Sequence, residues 1–298
     1  MIIVTGGLGF IGKRLVQSLK KNCDDEIIVV DKKKLNSKNY LNNKIFLQKL
    51  KSQKFTKKIK IIFHQGANSK TVENNFFSIM KDNYFYTKNL IDLCIKKNIP
   101  LIYASSASVY GTETKKFNED SKLEPSNFYS YTKSLVDLYV TRLLKKKKYK
   151  LIGLRYFNVF GPGEEKKGRM ASVFHHFTNQ IKQKDHVKLF KGSNGYNDGE
   201  QKRDFVFVDD CVDVNIWLFK NFKSGIYNVG SGKATSFNEV AKNIFKIQKK
   251  KTNIKYIKMP LDLLGKYQNF TKANIFKLRK AGYKKKFFTI EQALKFYK

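Results

Sequence analysis

Met1-Ile-Ile-Val-Thr-Gly-Gly-Leu-Gly-Phe-Ile-Gly12, a helix-like stretch, and then Ile27-Ile-Val-Val-Asp31 together decide the fold of this chain. An apolar run (Ile2, Ile3, Val4) gives way to Gly6, Gly7, Gly9 and Gly12, and a second apolar run ends in an acid. That order reads as a βαβ unit with a dinucleotide fingerprint. Glycine at the strand-to-helix turn permits backbone angles closed to other residues, and it lets a diphosphate approach the N–H groups at the positive end of the helix. Asp31 lies roughly twenty residues beyond the glycines, where an acid accepts from the adenosine ribose hydroxyls. A lone G-x-G-x-x-G also fits an ordinary tight turn. Strand, helix, second strand and terminal acid in register predict a bound dinucleotide.

Composition bounds the rest. The chain has 298 residues, 41% of them hydrophobic and 14% aromatic, enough for a globular core holding a dinucleotide domain and a smaller substrate portion. No apolar run approaches the roughly twenty residues of a membrane span, and the opening run is too short and glycine-rich for a signal peptide, so a cytoplasmic protein is expected. Cys23, Cys94 and Cys211 are odd in number and far apart, and the four histidines lack ligand spacing, so neither a disulfide framework nor a metal site is expected. The net charge of +36 points on its face to nucleic acid. Only six of the sixty basic residues are arginine, however, and the lysines are spread along the whole chain among Asn, Ile, Phe and Tyr. Recognition of phosphate and bases draws on arginine forks, so the lysine excess reads as compositional bias and no nucleic-acid partner is expected.

After Asp31 comes the basic turn Lys32-Lys-Lys-Leu-Asn-Ser-Lys38. Lysines there suit a 2′-phosphate and hence NADP, while Asp31 suits NAD. The lysines tip the expectation toward NADP, with NAD as the alternative. Residues 40–60 read as a short helix or surface connection, Lys60–His64 as a buried strand, and Gln65-Gly-Ala-Asn-Ser69 as a small-residue turn facing the cofactor. A helix over 80–97 and a strand over 100–104 follow. Residues 151–160 form the next strand, 187–190 is strand-like, 204–209 returns as a strand followed by a helix, and Ser236–Glu239 reads as a capping box. The fold class is therefore α/β, a Rossmann-type doubly wound parallel sheet with a smaller, discontinuous C-terminal substrate domain. The expected division is 1–161, with 204–224 returning to it, against 162–203 and 225–298.

The strand over 100–104 runs into Ser105-Ser106, and Tyr129-Ser-Tyr-Thr-Lys133 follows a polar loop. Tyrosine and lysine four apart share one helix face. The ammonium can lower the phenol's pKa and hold the ribose, so that Tyr129 takes a proton from a substrate alcohol as hydride leaves. Ser106 can hydrogen-bond the same hydroxyl. Such a pair is common on helix surfaces, but downstream of the glycine turn it becomes a catalytic signature.

These glycines, the Ser-Ser strand end, Tyr129-x-x-x-Lys133 and Arg155-Tyr-Phe-Asn-Val-Phe-Gly-Pro162 resemble the extended short-chain dehydrogenase/reductases that act on nucleotide sugars. The second half is similar to members that work on an ADP-linked heptose, in Lys166-Lys-Gly-Arg-Met-Ala-Ser-Val173, Lys188–Ser193, Lys202–Val208, Gly265–Thr271 and Leu278–Tyr283. The resemblance implies redox epimerisation at C6 of that sugar, for lipopolysaccharide, by a cytoplasmic homo-oligomer, a pentamer. It makes Tyr129 and Lys167 the opposed acid/base groups, with Ser106 and Lys133 assisting. It assigns NADP to Gly6, Gly9, Phe10, Ile11, Gly12, Asp31, Lys32, Lys38, Gln65, Gly66, Ala67, Asn68, Ser69, Lys133, Val159 and Lys167. It assigns the ADP-heptose to Asn158, Arg169, His176, Phe190, Lys191, Gly192, Ser193, Arg203 and Tyr267, with Arg203 on the diphosphate. Arg169 stands where the family carries serine, and Asp82 where it carries an asparagine at the cofactor. The 40–60 region looks shortened and the 193–201 loop longer. A nucleotide-sugar 4-epimerase, a dehydratase and a non-catalytic basic binding protein on the same fold are the competing readings.

Overall fold

The computed structural model describes residues 1–33, 37–69, 75–112, 117–260 and 267–297. Gly265 and Lys266, part of the resemblance above, and residues 34–36 of the basic turn lie outside them. In chain order the first elements are β1 (Ile2–Thr5), α1 (Phe10–Asn22), β2 (Ile27–Asp31), β3 (Tyr40–Asn42), α2 (Asn43–Lys49), α3 (Gln53–Thr56), β4 (Ile61–His64) and α4 (Phe76–Ile79). A π-helical turn, Met80–Phe85, carries α4 into α5 (Tyr86–Lys96), which precedes β5 (Leu101–Ser106), α6 (Phe128–Lys146), β6 (Leu151–Tyr156) and β7 (Asn158–Phe160). After a 3₁₀ segment, Glu165–Met170, come α7 (Val173–Lys184), β8 (Val187–Phe190), β9 (Lys202–Phe207), α8 (Val208–Lys220), β10 (Gly225–Val229) and β11 (Ala234–Ser236). The chain closes with α9 (Phe237–Ile247), β12 (Ile254–Ile257), α10 (Phe276–Lys280) and α11 (Ile290–Leu294).

The chain folds as two units. The first comprises 1–109, 127–155 and 211–227. Its seven-stranded sheet has the order β10-β6-β5-β4-β1-β2-β3, so the chain winds one way from β1 to β3 and the other from β4 onward, reversing between β1 and β4. The pairs β1–β2, β1–β4, β2–β3 and β4–β5 are parallel. The strands are short runs of Ile, Val and Phe buried on both faces, as a sheet covered by helices requires. Registers Thr5↔Val30 and Thr5↔His64 bring the carboxyl ends of β1, β2 and β4 level. Helix α1 buries Gly12, Leu15, Val16 and Leu19 at helical spacing, and α6 starts from a capping box between Asn127 and Ser130.

Residues 40–60 hold more than a short helix. Tyr40–Asn42 adds an edge strand to β2, and its three residues are too few to show a two-residue period. The 151–160 run is divided: β6 stays in the large sheet, while β7 pairs with β9.

The second unit comprises 110–126, 156–210 and 228–298. It holds a three-stranded sheet, β11-β9-β7, and the parallel pair β12-β8. Its core is aromatic, with Phe160 stacked on Phe174 at 3.9 Å and Phe205 edge-on to Phe174 at 5.1 Å. The 204–209 run, expected to return to the first sheet, instead lies in this one as β9, and the chain re-enters the first unit at Cys211. An apolar strand carries no mark of which sheet it joins. Of the capping box expected at Ser236, only half forms: Ser236 accepts from the Glu239 N–H, while the Glu239 carboxylate pairs with Lys233. Among the described residues no helix is long and apolar enough to cross a membrane.

Candidate active site

The glycine turn of the first unit is a close backbone contact. Gly6 has φ +66°, and a Cβ there would lie 2.5 Å from the Gly66 Cα; one on Gly12 would lie 2.1 Å from the Gly6 carbonyl oxygen. The β1 turn and the 65–69 turn are thus pressed together where only glycine fits. Above them opens a cleft of about 400 Å³, lined by Gly6, Gly9, Asp31, Lys32, Gln65, Gly66, Ala67 and Asn68 from the sequence reading. Gly12 is buried beneath it, Phe10 and Ile11 open α1, and Lys38 and Ser69 are exposed outside the lining. Asp31 is aimed by backbone amides: Leu8 donates to Oδ2 (3.1 Å), and Lys32 (2.8 Å) and Lys33 (3.3 Å) to Oδ1.

Three lining or supporting residues, Asn83, His64 and Tyr86, carry no sequence signal; Asp82, marked by the resemblance, joins them. Asn83, buried on the π-helical turn, accepts from the Asn68 N–H and donates to the Asn68 carbonyl and to Thr132, which fixes the 65–69 turn. His64 is buried, its Nδ1 2.5 Å from Thr5 Oγ1 and its Nε2 2.9 Å from Thr87 Oγ1. Burial first, and the Lys133 charge second, push its pKa down to about 3, so the ring is neutral. Tyr86 lines the cleft with a buried hydroxyl that has no hydrogen-bond partner, and burial raises its pKa. Asp82 closes the rim, 2.6 Å from Lys32 Nζ. The start of α1, a carboxylate at the end of β2 and a buried tyrosine hydroxyl are the kinds of group a dinucleotide needs.

The reactive set stands on α6 and the end of β5. Lys133 is buried; its Nζ donates to the Ala104 carbonyl at 2.7 Å and lies 5.9 Å from the centre of the Tyr129 ring. Burial lowers the Lys133 pKa to about 8, against an upward pull from Asp137. Tyr129 departs from expectation: burial raises its pKa, and the counteracting influence is a hydrogen bond with Ser106 rather than the ammonium. The ammonium is already committed to the Ala104 carbonyl. Ser106 Oγ in turn accepts from the Ser108 N–H and hydroxyl.

Behind Lys133, one helical turn on, lies Asp137, which the sequence reading missed. It accepts from Tyr103 Oη (2.9 Å), Ser105 Oγ (2.9 Å) and Arg155 Nε (2.7 Å), and both Asp137 (0% exposed) and Arg155 (2%) are shut off from water. A D four residues past the Tyr-x-x-x-Lys lysine continues the helix stripe and is the signal that could have found it.

In the second unit, Lys167 sits in the 3₁₀ segment beside Glu164, a carboxylate 1% exposed. Glu164 accepts from Lys167 Nζ (3.5 Å), the Ser172 N–H and hydroxyl (2.6 Å each) and Tyr297 Oη (3.0 Å). Burial lowers the Lys167 pKa and Glu164 opposes it. Arg203 is buried, its guanidinium 5.0 Å from the Tyr267 ring and 5.7 Å from that of Phe237, while Phe190 meets Tyr267 edge-on at 5.7 Å. Phe190, Arg203 and Tyr267 are therefore brought together. Ser193 donates to Asn269 (3.4 Å), Gly192 N–H to Asp198 (2.7 Å), and Asn158 to the Asp204 carbonyl (3.0 Å). Val159 lies on β7, His176 on α7, and Lys191 and Arg169 are exposed. Asp204, also missed, accepts from the N–H groups of Ser231, Gly232 and Ala273; burial nonetheless pushes it up to about 6.

A family model described as the NAD dependent epimerase/dehydratase family matches residues 2–230. The chain is 46% identical over 312 residues to a protein of Brachyspira hyodysenteriae (strain ATCC 49526 / WA1) named ADP-L-glycero-D-manno-heptose-6-epimerase, covering 100% of this chain and 96% of that one. The crystal structure of Helicobacter pylori ADP-L-glycero-D-manno-heptose-6-epimerase matches with a TM-score of 0.80 at 30% identity, over 99% of this chain and 94% of that one. The Thermotoga maritima UDP-glucose 4-epimerase, solved with UDP-glucose, matches with a TM-score of 0.82 at 25% identity, over 99% and 96%.

Proposed function

The chain belongs to the NAD dependent epimerase/dehydratase family, and we propose that it inverts C6 of ADP-D-glycero-D-manno-heptose to give the L-glycero-D-manno form. The observation that carries this reading is the full-length match to the Brachyspira enzyme of that name. A nicotinamide dinucleotide bound in the cleft supplies a reversible store for one hydride. Tyr129 removes the C6 hydroxyl proton as the hydride leaves, with Ser106 hydrogen-bonded to the phenol and Lys133 held charged against the Ala104 carbonyl. The 6-keto sugar turns and takes the hydride back on its other face. Inversion needs a second acid/base group to return the proton there, and Lys167 is that group.

Asn158, Arg169, His176, Phe190, Lys191, Gly192, Ser193, Arg203 and Tyr267 hold the ADP-heptose, Arg203 through its diphosphate. NADP is the preferred cofactor and NAD the alternative, on the strength of Lys32 and Lys33 beside Asp31. The enzyme works in the cytoplasm as a homo-oligomer, a pentamer.

Incubating the protein with ADP-D-glycero-D-manno-heptose and following C6 by NMR tests the assignment. Conversion is expected, and its loss in Tyr129→Phe by a factor of about 10²–10⁴. Turnover of a UDP-hexose with none of the heptose would overturn it in favour of a 4-epimerase.

A further inference from the structure

The cleft of the first unit is lined by four ionic side chains among the described residues: Asp31 and Asp82 against Lys32 and Lys33. Their charges cancel, and His64 adds none because it is neutral. Asp82 faces Lys32 from the π-helical turn, its carboxylate 2.6 Å from Nζ, with side-chain exposures of 23% for Asp82 and 63% for Lys32. Asp31 is already held by the amides of Leu8, Lys32 and Lys33, so the Lys32 ammonium is the partner left to Asp82.

NADP differs from NAD by a dianionic 2′-phosphate on the adenosine ribose, which in such sheets lies at the end of β2, next to Lys32 and Lys33. To meet that phosphate, Lys32 must leave Asp82. The cost is twofold: a half-desolvated carboxylate loses its counter-ion, and it then faces two new negative charges at short range. NAD imposes neither cost.

We propose that Asp82 is a cofactor-selectivity residue, whose ion pair with Lys32 holds down the cleft's affinity for the 2′-phosphate and keeps NAD competitive with NADP. This rests on the reading that the cleft takes a nicotinamide dinucleotide, and it extends that reading to which one.

Equilibrium dialysis of the full chain against NADP and against NAD, at low and at high salt, tests it without any turnover. Asp82→Asn is expected to raise the ratio of NADP to NAD affinity on the order of tenfold at low salt, through tighter NADP, and by less at high salt. Lys32→Gln is expected to move the ratio the other way. An Asp82→Asn ratio equal to or below that of the unaltered protein overturns the proposal while leaving the cofactor reading intact. If the unaltered protein, freed of nucleotide, binds neither dinucleotide, the cofactor reading fails and the proposal with it.

Discussion

Lys133 carries a charge in a place that burial makes costly, and the residues around it show how the cost is met. Its ammonium has one carbonyl partner, Ala104, and a buried carboxylate, Asp137, one turn along the same helix. Asp137→Asn removes the carboxylate that pulls upward on a pKa already lowered to about 8, so the alkaline limb of the kcat–pH profile is expected to move to lower pH. It also breaks the buried Arg155–Asp137 ion pair, at about 3–5 kcal/mol of stability, which urea unfolding measures. An unmoved alkaline limb would show that Asp137 only packs. His64 makes a second prediction. Its pKa is about 3 folded and 6.5 unfolded, so above pH 6.5 neither state takes a proton there, while between 6.5 and 3 the unfolded chain binds one that the folded chain refuses. Stability from this group is therefore present above pH 6.5 and lost on acidification, by about 1.4 kcal/mol per pH unit. Denaturant titrations should show that slope reduced by up to one proton in His64→Gln; equal slopes would mean the ring is not buried neutral.

At the scale of elements, the 161–172 segment is gathered around one buried carboxylate, Glu164. It contains Gly168 at φ +54° and has no long helix or strand of its own, so its shape depends on Glu164, which ties Ser172, Lys167 and Tyr297 together. In Glu164→Gln one acceptor oxygen becomes a donor facing the Ser172 and Tyr297 hydroxyls, and the charge beside Lys167 is lost. Turnover is expected to fall by at least about tenfold, the size of a misplaced acid/base group. Dinucleotide affinity should fall far less than turnover, because the cleft is lined by first-unit residues and Lys167 is the one cofactor contact the resemblance gives this segment. Dialysis and steady-state kinetics on the same sample separate the two, and a parallel loss of cofactor binding would refute the assignment of Glu164 to the Lys167 segment alone.

For the molecule as a whole, a charge of +36 works against compactness through self-repulsion. Screening shortens from about 30 Å at 0.01 M to about 8 Å at 0.15 M ionic strength, so the melting temperature should rise over that range. A flat or falling temperature would mean that the lysines are already paired off locally. What was legible in the chain was what repeats or turns locally. The apolar runs of β1, β2 and β4, the glycines at 6 and 12, and Tyr129 and Lys133 on one helix face each follow from spacing, because strand burial, backbone angles and the helical period act over a few residues. Hydrogen-bonded partners 59 residues apart (Thr5 and His64) or 133 apart (Glu164 and Tyr297) meet only once the chain has closed, and the burial that shifts His64, Tyr129 and Lys133 exists only then. So the sequence by itself determined a doubly wound sheet with a dinucleotide turn and a tyrosine–lysine pair. Only the tertiary structure decided that β9 joins the second unit's sheet, that Asp137 stands behind Lys133, and that Asp82 faces Lys32, since strand partnership and desolvation are properties of the packed chain and not of its local order.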